Sequence, residues 1–129
     1  MNIVGTGMSG LVGTRIKALL GGDFLFTDLS RETGFDITID SSIAPAIKLS
    51  DAPWLFHLAA STDVQGAEKE RELGTESVSW KINVDATDRV ARLAEATGKR
   101  ILYISTDYVF DGTKSGPYTE EDTPNPKGW

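Results

Sequence analysis

Apolar positions along this chain pass back and forth between strand-like and helix-like spacing. Residues 2–6, with Ile3 and Val4 at their centre, read as a short first strand that leads into a glycine-rich turn, Gly7-Met8-Ser9-Gly10-Leu11-Val12-Gly13. From residue 9 to residue 20, Leu11, Val12, Ile16, Leu19 and Leu20 recur at the spacing of a helix, which Gly21-Gly22 closes. Phe24-Leu25-Phe26-Thr27 predicts a second strand ending at Asp28. Residues 35–40 alternate in part, which fits a short strand or an extended connection, and residues 41–49 fit a short helix with Pro45 early in it. Trp54-Leu55-Phe56-His57-Leu58-Ala59-Ala60 is too continuously apolar for a half-exposed edge and predicts a third strand. Residues 67–72 are helical in propensity but charged, and Gly74 interrupts them. Val78, Ile82, Val90, Leu93 and Ala94 then mark one long helix over 75–97 with a buried stripe, ended by Gly98. Ile101-Leu102-Tyr103-Ile104-Ser105 predicts a further buried strand, and residues 106–129 read as turns and polar loop.

Strands and helices exchanged in this order predict an α/β fold, a Rossmann-like, doubly wound parallel sheet with helices on both faces. At 129 residues the chain suits one domain. A terminal stretch of that length without a closing element is uncommon in a compact domain. The expectation is therefore a single domain over residues 1–129, truncated before its last elements.

Composition removes several classes of function. There is no cysteine, which excludes disulfides, zinc thiolate sites and thiol catalysis. The formal charge of -6 disfavours nonspecific binding to nucleic acid or to an anionic membrane, yet leaves room for a small anion held by backbone N–H groups. One histidine, His57, cannot build a multi-histidine site; carboxylate-only magnesium or calcium binding stays open, but no calcium-loop spacing occurs, and no metal ligand is assigned. No apolar run approaches the roughly 18 residues of a membrane helix, and no basic-then-apolar leader is visible. A cytoplasmic setting is the default expectation.

The glycine turn carries the first chemistry. Between a strand and a helix, such glycines allow a tight turn, close approach of backbone to a pyrophosphate, and close packing of helix on sheet. The N–H groups at the helix start then face the phosphate charge. Asp28 closes the second strand roughly 20 residues beyond the turn, where a carboxylate accepts hydrogen bonds from the adenosine ribose hydroxyls. A carboxylate there repels a ribose 2′-phosphate, so NAD(H) is expected over NADP(H), with Arg31 nearby as a counterweight that keeps NADP(H) possible.

These features, with a second block, resemble a known family. Thr6-Gly7-Met8-Ser9-Gly10-Leu11-Val12-Gly13 resembles the TGxxGxxG turn of the extended short-chain dehydrogenases/reductases. Ser105-Thr106-Asp107-Tyr108-Val109-Phe110-Asp111-Gly112 is similar to the STDYVFDG block of their dTDP-4-dehydrorhamnose reductase branch, and Pro117-Tyr118-Thr119-Glu120-Glu121-Asp122 to the loop that follows it. The resemblance spans essentially the whole chain. It implies NAD(P)-dependent reduction of a 4-keto sugar nucleotide, dTDP-4-dehydro-L-rhamnose to dTDP-L-rhamnose, by a full-length protein that can form a homodimer. It further implies that Thr106 binds the substrate carbonyl oxygen as the catalytic threonine, with Ser105 beside it on the cofactor side. Leu29 would flank Asp28, and Asp36-Ile37 would border the adenine ring. Ala59, Ala60 and Ser61 would run along the cofactor, with Thr62 and Val64 near the substrate. Asn83 would be a structural asparagine, and Tyr108 and Phe110 would shape the sugar-nucleotide end.

Read from the residues alone, several of these have plainer roles. Thr106 fits a cap or turn, Asn83 an exposed helix position or a side-chain bond to backbone, and Tyr108 and Phe110 fit core or lid packing. His57, in an apolar strand, fits a satisfied core histidine. The family's proton donor is a tyrosine followed four residues later by lysine, and none of Tyr103, Tyr108 and Tyr118 has that lysine. The family's spacing from Thr106 puts that tyrosine at about the residue after Trp129, so the 129 residues by themselves are expected to be inactive. Three other readings stand beside the reductase: an NAD-dependent nucleotide-sugar epimerase or dehydratase, a noncatalytic regulatory subunit of methionine adenosyltransferase, and a free-standing nucleotide-binding domain.

Overall fold

The computed structural model describes residues 1–128; Trp129, the last residue of the expected domain, lies outside them. Four strands, β1 (Asn2–Thr6), β2 (Leu25–Leu29), β3 (Trp54–His57) and β4 (Arg100–Tyr103), form one parallel sheet in the order β2-β1-β3-β4. The helices are α1 (Leu11–Leu20), α2 (Asp40–Leu49), α3 (Val64–Lys69), α4 (Val78–Trp80) and α5 (Ala86–Ala96). Parallel strands need long crossovers, and the helices supply them.

Side chains alternate across the sheet, so each strand feeds two layers. Val4, Leu29 and Leu55 point to one face, where they pack with Ile43, Ala44 and Ile47 of α2 and with Ala86, Val90, Leu93 and Ala94 of α5. This is the core. The other face carries α1, identified by Lys17 reaching Asp28, the neighbour of Leu29 that points the opposite way. An aromatic row crosses that face: Phe26 lies 6.5 Å from Phe56, and Trp54 lies 6.4 Å from Phe56 edge-on, with Arg100 over the Trp54 ring.

Several sequence expectations change here. Helix α1 starts at Leu11 rather than at residue 9, and its apolar positions are largely exposed, Leu11 at 89% and Leu19 at 62%. Among the described residues, the expected buried strand after Gly98 is exposed: β4 pairs there with β3 alone, and Tyr103 and Ile104 are about half exposed. An apolar run signals that a strand wants cover, and its neighbours decide whether it has it. The third strand stops at His57; the Leu58 amide still donates to the Thr6 carbonyl of β1 at 3.0 Å, and residues 59–60 lie beyond the sheet. Residues 35–39 form no strand and lead through a turn into α2, which begins at Asp40. The long helix over 75–97 is three segments, with a π-helical turn over Lys81–Asp85 between α4 and α5, and Val78 is exposed. Gly98 does end it, in the left-handed conformation (φ 64°), with the Lys99 amide bonded back to the Ala94 carbonyl. The tail is turns and loop as expected, but organised. Asp111 accepts bonds from the amide and hydroxyl of Thr113, from Asn125 and from Tyr118, and these hold its carboxyl well below the usual carboxylate range. Among the described residues, no helix is long and apolar enough to cross a membrane.

Candidate functional site

From β1 the chain goes first to β2 on one side and later to β3 on the other, so the strand order reverses between β1 and β3. Open parallel sheets bind ligands outside the carboxyl ends of the strands at such a reversal. A cleft of about 290 Å³ lies there. Gly7, Ser9 and Gly10 line it from the glycine turn, and Leu58, Ala59 and Ala60 line it after β3.

The turn needs its glycines for measurable reasons. Gly7 has φ 68°, and a Cβ on it would stand 2.5 Å from the Ala59 amide nitrogen, so β1 and β3 could not close on each other. A Cβ on Gly13 would stand 2.4 Å from the Met8 Cα, which is how closely α1 sits on the turn. Met8 is fully buried and packs over Gly5. Gly10 is the N-cap of α1 in extended conformation, and no side chain caps the helix, leaving its first amides directed outward without a side-chain acceptor. Leu11 and Val12, by contrast, expose their side chains and bring only backbone to this end. A glycine cradle with uncapped helix amides suits the pyrophosphate of a dinucleotide.

The wall beyond β2 is built from Leu29, Ser30, Arg31 and Glu32, followed by Phe35 and Ile37. Ser30 and Thr33 bracket a 3-10 turn: the Ser30 amide donates to Thr33 Oγ1 at 3.0 Å, and that hydroxyl donates to the Asp28 carbonyl at 2.7 Å. The Asp28 carboxylate itself does not line the cleft. Asp28 stands opposite Gly5, one residue short of the strand end, and its side chain turns toward α1, where Lys17 Nζ meets Oδ2 at 3.2 Å. Oδ1 is buried with no hydrogen-bond partner. Asp36 folds back on itself, accepting from the hydroxyl of Thr38 at 2.6 Å and its amide at 2.8 Å, with Arg31 3.8 Å away. The Thr38 bonds first, and Arg31 after them, hold its carboxyl below the usual range.

Asn83 acts at a distance from its own helix. Across the π turn the Ala86 amide bonds to the Lys81 carbonyl, five residues back, and such turns recur at functional sites. Asn83 accepts from the Ser61 amide at 2.8 Å and donates to the Ser61 carbonyl at 3.0 Å, clamping the loop after β3 in both directions. Replacing Asn83 by alanine is expected to cost about 2 kcal/mol, since two part-buried backbone groups lose their partner. Urea unfolding of the two proteins checks this.

His57 is buried, with Nδ1 2.6 Å from Thr6 Oγ1 and Nε2 3.0 Å from Thr87 Oγ1. A hydroxyl gives or accepts, so the neutral ring is satisfied in either tautomer. Burial lowers its pKa to about 4, and its ring stacks on Tyr103 at 5.7 Å. It is the satisfied core histidine expected from its apolar strand, and it ties the residue before Gly7 to α5.

The remaining expected residues stand outside the cleft lining. Thr62 and Val64 are exposed at the start of α3. Ser105 and Thr106 follow the carboxyl end of β4, both exposed, and Thr106 Oγ1 accepts from the Tyr108 amide at 3.2 Å, capping a short 3-10 turn. Tyr108 is 63% exposed, whereas Phe110 stacks on Tyr118 at 4.2 Å. Sequence reasoning missed Ser30, Glu32, Phe35, Leu58 and Ile82 as cleft-lining residues. The Ser30-x-x-Thr33 cap spacing after a strand was the available signal for the first two. Ile82 gave none, because only the tertiary fold brings its helix to the cleft.

The family model described as the RmlD substrate binding domain matches residues 1–129. The dTDP-4-dehydrorhamnose reductase of Sinorhizobium fredii is 33% identical over 126 residues, covering 98% of this chain and 40% of the relative. The crystal structure of dTDP-4-dehydrorhamnose reductase from Bacillus anthracis in complex with NADP superposes with a TM-score of 0.86 at 30% identity, over 98% of this chain and 43% of that one. Methionine adenosyltransferase 2 subunit beta of Rattus norvegicus is 40% identical over 72 residues, 56% of this chain and 20% of the relative. The chain thus spans about 40% of the length of the reductase it matches. With the glycine cradle at the strand reversal and this match along its whole length, the chain belongs to the RmlD substrate binding domain family, within the extended short-chain dehydrogenases/reductases.

Proposed function

We propose that these residues hold the nicotinamide dinucleotide for reduction of a 4-keto sugar nucleotide, dTDP-4-dehydro-L-rhamnose being the substrate that the reductase relatives suggest. The observation that carries this is the cleft at the strand reversal, with Gly7 and Gly10 backing it and the first turn of α1 uncapped. Gly7, Ser9 and Gly10 take the pyrophosphate, Leu29 and Ile37 flank the adenosine, and Ala59, Ala60 and Ser61 lie along the remainder. The bound dinucleotide supplies a hydride. Thr106 donates its hydroxyl proton in a hydrogen bond to the sugar carbonyl oxygen, which stabilises the charge that builds there. Tyr108, Phe110, Thr62 and Val64 bound the sugar-nucleotide side.

Choice of cofactor follows from charge placement. Lys17 neutralises Asp28 on the α1 face, while Arg31 and Ser30 stand on the cleft wall. The Asp28 repulsion that favours NAD(H) is therefore weakened, and both dinucleotides are accepted. Calorimetric titration of the purified chain is expected to give Kd values for NADH and NADPH within about tenfold of each other, a difference of about 1.4 kcal/mol. No binding of either would overturn the dinucleotide reading; a hundredfold gap would overturn the dual use. No Tyr-x-x-x-Lys pair stands within the 129 residues, so they lack the acid that contributes about 10²–10⁴-fold to such reductions. Turnover of the 4-keto sugar nucleotide by these residues alone is expected to be negligible.

A second reading has its own support in the 40% identity to the methionine adenosyltransferase subunit. Under it, the same cleft serves a regulatory partner of that enzyme, and the chain would co-purify with a methionine adenosyltransferase.

A further inference from the structure

The wall that borders the adenosine is not itself part of the sheet. Residues 35–38 leave the 3-10 turn after β2 and reach α2 without strand pairing. Within this segment Phe35 and Ile37 face the cleft. Local bonds shape it: the Phe35 amide donates to the Ser30 carbonyl, and Thr38 donates to Asp36. Local bonds do not place it against the rest of the molecule. Burial of Ile37 in the core, with Phe35 packed against it, does so in part, and two hydrogen bonds to helices fix the backbone. Ser42 Oγ of α2 accepts from the Asp36 amide at 2.9 Å, and Arg89 Nη1 of α5 donates to the Ile37 carbonyl at 2.9 Å across 52 residues of sequence. Arg89 is 28% exposed, and its Nε stands 3.8 Å from Asp40 Oδ1, which holds the guanidinium between α2 and the segment. A planar guanidinium with several fixed donors can serve the carbonyl and the carboxylate together.

We infer that Arg89 is a positioning residue for the adenosine end of the cleft: it touches no ligand, and it sets the height of Ile37 on the wall through that carbonyl bond. The assignment rests on the dinucleotide reading above. Its consequence is selective, because the glycine turn and the loop after β3 do not depend on Arg89.

The test is calorimetric titration of NADH and of ADP into wild type, Arg89→Met, Arg89→Lys and Ser42→Ala, each checked for folding by circular dichroism. Methionine keeps the aliphatic stem and removes the donor; lysine restores one donor. Arg89→Met is expected to weaken NADH and ADP by the same factor, about tenfold, with Arg89→Lys recovering to within about threefold of wild type. Ser42→Ala, which cuts the other anchor, is expected to weaken both ligands in the same way; if Arg89→Met does not fold, Arg89→Leu takes its place, with the same loss expected and wild-type affinity overturning the assignment. Folded Arg89→Met with wild-type affinity overturns the assignment, as does an affinity loss that lysine does not recover. Failure of wild type to bind NADH overturns the dinucleotide reading and takes this assignment with it, whereas tight wild-type binding that the variants leave unchanged overturns only the assignment.

Discussion

Gly7→Ala is expected to abolish dinucleotide binding, with an affinity loss of at least about a hundredfold, and to destabilise the fold by about 3 kcal/mol or more. The cause is twofold. Gly7 sits at φ 68°, which an L side chain adopts at a cost, and its Cβ would lie within 2.7 Å of Ala59 N, Ala59 Cα and Leu58 C. Those are backbone atoms and cannot swing aside as a flexible side chain would. Relief requires β1 and β3 to separate at the point where the cleft is formed. Gly22→Ala is the matched control: nothing stands within 4 Å of a Cβ there, and its φ is not in the left-handed region. The control is expected to bind NADH like wild type and to melt at or slightly above its temperature. Thermal melts should show Gly7→Ala about 10 °C lower. Wild-type affinity in Gly7→Ala would remove the glycine turn from the binding site.

The second large effect is loss of stability in mild acid through His57. Burial holds its folded pKa at about 4, against 6.5 for the free side chain. The unfolded chain therefore binds a proton as pH falls below 6.5, while the native chain does not until about 4. Stability is full above that range and declines on acidification through it, by about 3 kcal/mol in total and about 2 kcal/mol of it by pH 5. Asp36 and Asp122, whose folded pKa values are lowered, contribute losses of the other kind, below the ordinary carboxylate pKa. The two origins separate by pH. Urea midpoints measured from pH 7.5 to pH 5 should fall for wild type and stay level for His57→Gln, which starts lower because Thr6 and Thr87 lose an ideal partner. A wild-type midpoint unchanged over that interval would show that the ring protonates freely.

Local chemistry explains which features were legible in advance. The turn at Gly7-Gly10-Gly13 follows from a strand meeting a helix, and only residues without a Cβ meet that geometry. Strand β1, helix α2 and the stop at Gly98 are likewise set by short-range spacing and backbone freedom. The parallel order follows from helices long enough to cross between strands. His57 was readable as a satisfied core residue because a polar ring in an apolar strand must find partners. Thr6 and Thr87, which supply them, come from β1 and α5 and could not be named from the strand alone.

What only the tertiary structure decided depends on long-range placement. Burial of β4 is one case: Ile101-Leu102-Tyr103-Ile104 has the composition of an interior strand, yet among the described residues it has a strand on one side only, and cover is a property of neighbours. The direction of Asp28 is another. One residue of register against Gly5 turns its carboxylate toward Lys17, leaving Ser30 and Arg31 to form the wall. The Asn83 clamp on Ser61 and the Arg89 bond to Ile37 join residues 22 and 52 apart. Sequence by itself determined the elements and the glycine cradle, since both arise from forces acting over a few residues. The shape and charge of the cleft were settled by the fold, which alone brings distant backbone carbonyls and amides within reach of the side chains that hold them.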